Sequence, residues 1–207
     1  MTKRWMAPLA LGLMLAASGA VAQGDRAPAA EGRTAMAVFA GGCFWCVEEA
    51  FDAVAGVLET TSGYTGGHVQ NPTYQQVVME NTGHQEALRV RYDDSKVTYA
   101  ELLDVFWRNV DPFDAGGQFC DRGESYRAVI FVAGEAQKRL AEESRAKIAD
   151  RFKKKIATEI EPAATFYPAE AYHQNYHNVN PLRYKYYKWG CGRAQRLEQI
   201  WGPAPKS

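Results

Sequence analysis

The chain has no long apolar segment after its first residues and no excess of charge of either sign. Its longest apolar run, residues 7–17, is shorter than the roughly 20 residues that a membrane-spanning helix requires. Lys and Arg total 24, and so do Asp and Glu, so a broad cationic surface that attracts nucleic acid is not expected. There is also no internal repeat. We therefore expect one soluble domain that neither spans a membrane nor binds nucleic acid.

The first 22 residues have the three parts of a secretory signal peptide. Lys3 and Arg4 precede the apolar run, and the small residues of 20–22 follow it. We expect cleavage after Ala22, a flexible leader over residues 23–33, a domain over residues 34–201 and a short tail over residues 202–207. The signal peptide predicts export to the periplasm, where we expect the domain to be a monomer.

Cysteine is scarce, with four residues in the chain. In an exported protein four cysteines usually form structural disulfides, because that compartment is oxidising. Here Cys43 and Cys46 are close neighbours after Gly41-Gly42, whereas Cys120 lies in mid-chain and Cys191 stands between two glycines near the end. A domain of this length can bury a core without disulfides. We therefore expect at least one of these cysteines to be chemically active.

Alternating and helical apolar patterns follow one another along the chain. They predict strands over residues 35–40, 57–64, 87–92, 126–132 and 158–166, and helices that begin after Gly41-Gly42 and cover residues 98–109 and 135–154. Thr98 and Glu101 have the spacing of a capping box. This order predicts an α+β domain, a two-layer α/β sandwich with a mixed sheet and a ferredoxin-like core. An irregular C-terminal tail with two short helical stretches is expected from Pro168 onward.

Cys43 is predicted to lie where a strand turns sharply into a helix. Gly41-Gly42 allows the turn at little steric cost, and unpaired N–H groups and the positive end of the helix dipole are expected beside the sulfur. Both favour the thiolate, so a lowered pKa is expected for Cys43. Phe44 and Trp45 follow directly and are expected to line a pocket for a small apolar group such as an S-methyl. The pattern by itself fits both a disulfide-exchanging enzyme and an enzyme that reduces peptide sulfoxides.

A series of short segments between residues 35 and 176 resembles one enzyme family in composition and in order. These segments are Gly-Gly-Cys-Phe-Trp-Cys-Val-Glu (41–48), Ser-Gly-Tyr-Thr-Gly-Gly (62–67), Asn-Pro-Thr-Tyr (71–74), Thr-Gly-His-Gln-Glu (82–86), Phe-Trp (106–107), Asp-Pro (111–112), Asp-Arg-Gly (121–123), Tyr-Arg (126–127), Thr-Glu-Ile (158–160), Phe-Tyr-Pro-Ala-Glu (166–170) and Tyr-His-Gln (172–174). They are similar to the motifs of the type A peptide methionine sulfoxide reductases (MsrA). The resemblance implies an enzyme that returns the S epimer of methionine sulfoxide to methionine.

The resemblance also implies roles for individual residues. Cys43 matches the cysteine that attacks the sulfoxide sulfur, and Glu86 matches the acid that protonates the departing oxygen. Such an acid must stay protonated near neutral pH, which requires an apolar setting. Tyr74 and Tyr126 match tyrosines whose hydroxyls donate hydrogen bonds to the sulfoxide oxygen. Asp121 matches an active-site aspartate, although the segment around it departs from the family pattern and many relatives carry asparagine where this chain has Cys120.

Attack leaves a sulfenic acid on Cys43, and a second thiol can condense with it to form a disulfide. Cys46 is the favoured resolving residue. Cys191, in a flexible Gly-Cys-Gly segment, is the first alternative and Cys120 is the second, since Cys120 could also pair structurally or relay to Cys191. A thioredoxin-like electron donor, or another dithiol reductant, is expected to reduce the disulfide. The expected substrates are oxidised exported proteins or free methionine sulfoxide.

Three other interpretations follow from the residues. His173 and His177 have a spacing that could hold zinc on a helix, but neighbouring Tyr and Asn residues favour ordinary hydrogen bonding, so neither a metal nor another cofactor is expected. The Cys43-Phe-Trp-Cys46 spacing keeps a general thiol–disulfide oxidoreductase open as the alternative function. A non-enzymatic protein that binds oxidised peptides is the third possibility, and it depends on Glu86 lying far from Cys43.

Overall fold

The computed structural model describes residues 1–2 and 33–203. The strands of this region are β1 (Thr34–Gly41), β2 (Val57–Thr65), β3 (Gln85–Asp93), β4 (Gly117–Gln118), β5 (Asp121–Arg122), β6 (Ala128–Val132), β7 (Glu159–Pro162) and β8 (Tyr167–Pro168). The α-helices are α1 (Phe44–Asp52), α2 (Tyr74–Val78), α3 (Tyr99–Arg108), α4 (Glu135–Phe152), α5 (Tyr176–Val179), α6 (Pro181–Gly190) and α7 (Arg193–Trp201). Two short 3-10 helices cover Glu124–Tyr126 and Ala171–His173.

Six of the strands form one mixed sheet in the order β7-β6-β1-β3-β2-β8. Neighbouring strands are antiparallel, except that β6 and β7 are parallel. The remaining strands, β4 and β5, form a separate small hairpin. The predicted α+β class and mixed sheet are confirmed.

The main core lies between helices and one face of the sheet. Phe39 of β1 and Leu88 of β3 point to this face and are fully buried. The Phe39 ring stacks on Phe51 of α1 and on Phe106 of α3, with ring centroids 5.1 and 5.3 Å apart. Trp201 at the end of α7 belongs to the same cluster. Burial of these large side chains holds α1, α3 and α7 against the sheet.

The N-terminus of α3 has the predicted capping box. The Thr98 hydroxyl accepts a hydrogen bond from the Glu101 N–H, and the Glu101 carboxylate accepts one from the Thr98 N–H at 2.7 Å. These two bonds satisfy backbone donors that the helix itself cannot pair. The local sequence therefore fixes where this helix begins.

Three predictions of local structure were wrong in extent. The strand predicted over residues 126–132 begins at Ala128, because Tyr126 lies in the preceding 3-10 helix. The strand predicted over residues 158–166 ends at Pro162, because Pro162 pairs with Val132, the last residue of β6, and β6 offers no partner beyond it. The two short helical stretches expected after Pro168 are found as α6 and α7, but a short α5 precedes them, so less of this segment is irregular than expected. Buried Tyr184 and Trp201 hold α6 and α7 against the rest of the domain.

The predicted signal peptide and leader lie outside the described residues, apart from Met1, Thr2 and Arg33, and residues 204–207 of the predicted tail also lie outside them. Within the described part of the chain, none of the helices combines the length and the apolar character that crossing a bilayer would require.

Candidate active site

Cys43 lies at the junction of β1 and α1, where it is the N-cap residue of the helix. The turn depends on Gly42, whose φ is +78° and where a Cβ atom would approach the Gln118 side chain to 2.5 Å. Only glycine adopts this conformation without strain and fits that space. The predicted strand, glycine turn and helix are therefore found, and they bring the Cys43 sulfur to the first turn of α1.

Glu86 lies on β3 beside this first turn. The antiparallel register that pairs Phe39 with Leu88 brings Glu86 to the Gly41 end of β1, and its carboxyl Oε2 accepts a hydrogen bond from the Phe44 N–H at 3.0 Å. Glu86 is buried, with 2% of its surface exposed. It is not an exposed carboxylate at a strand edge.

Burial raises the pKa of Glu86 to about 8, and it outweighs the lowering effect of the hydrogen bond from Phe44. The negative charges of Asp121 and Cys46 raise it further. The raised pKa expected for this residue is thus found. A carboxyl group with this pKa is mostly protonated at neutral pH, so it can donate a proton to a substrate.

A cavity of about 60 Å³ connects these groups. The residues that line it are Cys43, Phe44, Trp45, Tyr74, Glu86, Asp121, Tyr126 and Tyr187. The catalytic and pocket side chains proposed from the sequence therefore meet at one place, whereas the favoured resolving residue, Cys46, does not line this cavity. The cavity is large enough for the end of a methionine sulfoxide side chain but not for a folded segment of polypeptide.

Tyr74 and Tyr126 both line the cavity, and their side chains interact with each other. Tyr74 is the first residue of α2, whose capping box is formed by Thr73 and Gln76, and its N–H donates to the Glu170 carboxylate at 2.9 Å. Burial raises the pKa of Tyr74 to about 12 and that of Tyr126 well above its ordinary value. Both hydroxyls therefore stay protonated and can act as hydrogen-bond donors.

Asp121 is carried by the β4–β5 hairpin. Buried Gln118 of β4 ties this hairpin to the chain at Asp111, because its side-chain oxygen accepts from the Asp111 N–H at 2.8 Å and its amide donates to the Asp111 carbonyl at 2.9 Å. Burial raises the pKa of Asp121, while hydrogen bonding to Tyr187 and the charge of Arg193 oppose that rise.

The pocket has an aromatic wall. The Trp45 ring stacks on Tyr176 with centroids 3.8 Å apart, and His173 packs against Phe44 at 5.0 Å and against Tyr74 at 4.5 Å. The pKa of His173 is lowered by burial. A neutral, apolar wall of this kind suits a methyl group attached to sulfur.

The two histidines considered as zinc ligands do not share a helix. His173 ends a 3-10 helix, whereas His177 belongs to α5. The His177 ring nitrogens lie 3.8 Å from the Glu48 carboxylate and 3.5 Å from that of Asp52, so the ring faces carboxylates and not the other histidine. The helical spacing on which the zinc interpretation rested is therefore wrong.

The lowered pKa expected for Cys43 is also wrong. Cys43 is 5% exposed, and this burial raises its pKa well above the ordinary value. A hydrogen bond with Cys46 and the charges of Cys46, Glu86 and Asp121 act in the same direction. Removal of the sulfur from water outweighs the field of a short helix, whose first N–H is already engaged by Glu86.

Cys46 has the lowered pKa instead, at about 7. The main cause is the hydrogen bond with Cys43, which is followed by the burial of Cys46, acting in the opposite direction, and by the positive charge of Arg193. The two thiols therefore share a proton, and at neutral pH a negative charge is available to the pair.

A family model described as peptide methionine sulfoxide reductase matches residues 35–204. The chain belongs to this family. The match extends well past residue 176, the end of the region that contains the resembling segments. The protein is accordingly an oxidoreductase that reduces methionine sulfoxide.

Individual relatives agree with this assignment. The chain is 53% identical to the peptide methionine sulfoxide reductase MsrA 2 of Caulobacter vibrioides over 192 residues, which cover 92% of this chain and 97% of that one. It is 51% identical to the MsrA of Bacillus licheniformis, with 81% of this chain and 93% of that one covered. Among solved structures, the reduced form of Mxr1 from Saccharomyces cerevisiae has a TM-score of 0.69 and 30% identity, with 72% of this chain and 87% of that one covered.

In this reductase Cys120 and Cys191 form a disulfide, with their Cα atoms 5.0 Å apart, whereas Cys43 and Cys46 are free. Cys191 follows the last turn of α6, and its N–H donates to the Tyr187 carbonyl at 2.9 Å. The disulfide therefore joins the β4–β5 hairpin to the end of α6. The Gly-Cys-Gly segment, which was expected to be flexible, is thus covalently joined to the β4–β5 hairpin.

One residue that lines the cavity, Tyr187, was not predicted from the sequence. Its hydroxyl donates a hydrogen bond of 2.6 Å to Asp121. Tyr187 lies beyond residue 176, outside the segments that carried the resemblance. In the sequence, Tyr187 could have been noticed because it follows Tyr184 by three residues, which places both side chains on one face of a helix. The same spacing is typical of tyrosines that only pack in the core.

Proposed function

We propose that Cys43 is the nucleophile and Glu86 the proton donor in the reduction of methionine S-sulfoxide. One observation carries this proposal: both residues line the same small cavity, and the acid has a pKa of about 8. Phe44 and Trp45 would receive the S-methyl group, and Tyr74 and Tyr126 would donate hydrogen bonds to the sulfoxide oxygen.

The first step forms an oxidised cysteine and releases methionine. As Cys43 attacks the sulfoxide sulfur, its proton passes to the Cys46 thiolate, with which it shares a hydrogen bond. Glu86 gives its proton to the sulfoxide oxygen, which leaves the substrate and becomes the hydroxyl of a Cys43 sulfenic acid. The substrate sulfur gains two electrons, the Cys43 sulfur loses two, and Glu86 is left as a carboxylate.

Cys46 is proposed as the resolving residue. It lies one turn from Cys43 on α1, and the two thiols already hydrogen-bond each other. The alternatives Cys120 and Cys191 are bonded to one another, so neither offers a thiol to Cys43 in this form of the protein. When the Cys46 sulfur bonds to the Cys43 sulfenic acid, the Cys46 proton and the hydroxyl leave as water.

A thioredoxin-like donor is proposed to regenerate the pair. Its two thiols reduce the Cys43–Cys46 disulfide and become a disulfide themselves, and one of the protons released returns to Glu86. The yeast protein Mxr1 has been solved in complex with Trx2. The signal-peptide pattern supports a periplasmic site of action, with oxidised exported proteins or free methionine sulfoxide as substrates and with a monomeric enzyme.

The direct test uses the resolved S and R epimers of N-acetylmethionine sulfoxide with purified enzyme and dithiothreitol. We expect release of N-acetylmethionine from the S epimer alone. Reduction of insulin disulfides in a parallel assay measures the alternative, a general thiol–disulfide oxidoreductase. Insulin reduction without turnover of either epimer would refute the proposed function.

We also interpret the central sheet as a ferredoxin-like core. Support comes from the order β6-β1-β3-β2, in which α1 follows β1 and α3 follows β3 along the chain. This is the alternation of a β-α-β-β-α-β unit. In this interpretation, α5 to α7 are additions to the core that help to close the active site.

A further inference from the structure

We propose that Tyr187 is a positioning residue for Asp121 in the reduction of the sulfoxide. This inference rests on the proposed function and adds to the site a residue from α6, a helix that lies outside the segments that resembled the family. Its basis is that the Tyr187 hydroxyl hydrogen-bonds Asp121 while the side chain lines the cavity together with Cys43.

The contacts of Tyr187 involve both its hydroxyl and its ring. The hydroxyl donates a hydrogen bond of 2.6 Å to Asp121 Oδ2. The ring meets Trp45 edge-on, with centroids 5.9 Å apart, and the side chain lines the cavity together with Cys43 and Asp121. A residue that only packed in the core would not place its hydroxyl on a carboxylate of the cavity.

Helix α6 is held so that this hydrogen bond keeps its geometry. The Tyr184 hydroxyl donates to the Glu49 carboxylate at 2.7 Å, and Lys188 forms an ion pair with the same carboxylate. Cys191 at the end of α6 is bonded to Cys120, the residue next to Asp121. The two partners of the Tyr187–Asp121 hydrogen bond are thus tied together from both sides.

The Tyr187 hydroxyl favours the ionised form of Asp121. The positive charge of Arg193 on α7 also favours that form. Four other titratable groups lie within reach of the Asp121 charge, which raises the pKa of each, namely Cys43 before α1, Tyr74 of α2, Glu86 of β3 and Tyr126 of the 3-10 helix. Burial raises the pKa of Asp121, and the hydrogen bond from Tyr187 is the largest effect that opposes this rise. Without that bond, the half-buried Asp121 carboxylate has no hydrogen bond from Tyr187, so its ionised form is less stable and its side chain can rotate more freely.

The test compares Tyr187→Phe with Tyr186→Phe. Tyr186 neighbours Tyr187 on α6, but it is 77% exposed, so the control removes the same atom from the outer face of the helix. The kcat and KM for N-acetylmethionine S-sulfoxide are measured with dithiothreitol across the pH range. The amount of methionine formed in one turnover without reductant gives the fraction of active enzyme. A variant that folds poorly lowers this amount, whereas a variant that only reacts more slowly does not.

We expect Tyr187→Phe to lower kcat/KM by about ten- to hundredfold, which corresponds to the loss of one hydrogen bond to a charged group. The acid limb of its pH profile, to which the ionisation of Cys46 and of Asp121 both contribute, should move to higher pH, because Asp121 then ionises less readily. The alkaline limb, which we assign to Glu86, should stay in place. Tyr186→Phe should match the wild type.

A double-mutant cycle with Asp121→Asn completes the test. If Tyr187 acts through Asp121, Tyr187→Phe should cause no further loss in the Asp121→Asn background. An equal loss in both backgrounds, or a pH profile that is lowered without a change of shape, would overturn the inference. A wild-type enzyme that releases no methionine would instead refute the proposed function.

Discussion

The two cysteine pairs of this protein differ in every physical respect that governs thiol chemistry. Cys43 and Cys46 belong to one helical turn and are buried, free and hydrogen-bonded to each other. Cys120 and Cys191 are 71 residues apart in sequence, lie nearer the surface and are joined by a disulfide. Four cysteines of one chain thus have different roles because their surroundings in the folded protein differ.

The surroundings of the first pair are those of a reaction centre. An acid with a pKa of about 8, Glu86, lies at the same cavity as Cys43, and Cys46 can take the proton of Cys43. The second pair bridges the β4–β5 hairpin and the end of α6, where a covalent bond restrains two segments that meet at Asp121. We therefore expect changes in the two pairs to affect different measurements.

The largest effect is expected from Cys43→Ser. The hydroxyl of serine is a far weaker nucleophile than a thiolate and cannot accept the sulfoxide oxygen in the same way. We expect no methionine with any reductant and none in a single turnover, as measured by chromatography of the product. Residual turnover in this variant would show that another cysteine attacks the substrate, and the distinction between the pairs would fail.

Glu86→Gln is expected to lower kcat by about 10²- to 10⁴-fold, the usual contribution of a general acid. In the wild type the reactive form of Glu86 is protonated, so kcat/KM should fall as the pH rises through about 8. The variant should lose this alkaline limb, because glutamine does not titrate. A pH–rate profile for each enzyme checks both points, and an unchanged limb in Glu86→Gln would assign it to another group, such as the thiols.

Cys46→Ser should uncouple attack from recycling. We expect one methionine per enzyme without reductant, formed more slowly than in the wild type because Cys46 no longer takes the proton of Cys43, together with a Cys43 sulfenic acid that dimedone labels. Turnover with thioredoxin should fall to nearly zero, while turnover with dithiothreitol persists, because a small thiol can reach the sulfenic acid. If thioredoxin still drove full turnover, Cys46 would not be the resolving residue.

The smallest effect on activity is expected from the double variant Cys120→Ser and Cys191→Ser. Its turnover with thioredoxin should stay within about threefold of the wild type, because Tyr184 and Lys188 still hold α6 to Glu49. Its free energy of unfolding should fall by about 4 kcal/mol, the value expected for removing a crosslink that closes a loop of this length. Denaturant unfolding measures this free energy. If the double variant lost most of its turnover with thioredoxin, the result would indicate that electrons reach the active site through Cys191.

Much of the local structure could be predicted from the chain alone. The glycine turn before Cys43 and the capping box at Thr98 depend on residues that are close in sequence, and both were found as expected. Strand limits were less accurate, as at Tyr126 and Pro162, because the end of a strand depends on which neighbour it pairs with. The family motifs named the residues of the cavity but did not include Tyr187.

The sequence by itself determined that a cysteine lies at the start of a helix and that an acid follows on a later strand, because glycine conformation, capping and strand alternation act over a few residues. Only the tertiary structure decided that burial raises the pKa of Cys43 while Cys46 carries the lowered pKa, that Cys120 pairs with Cys191 and that Tyr187 reaches Asp121. Burial, disulfide geometry and hydrogen bonds across the chain depend on distances in space, which the order of the residues does not contain.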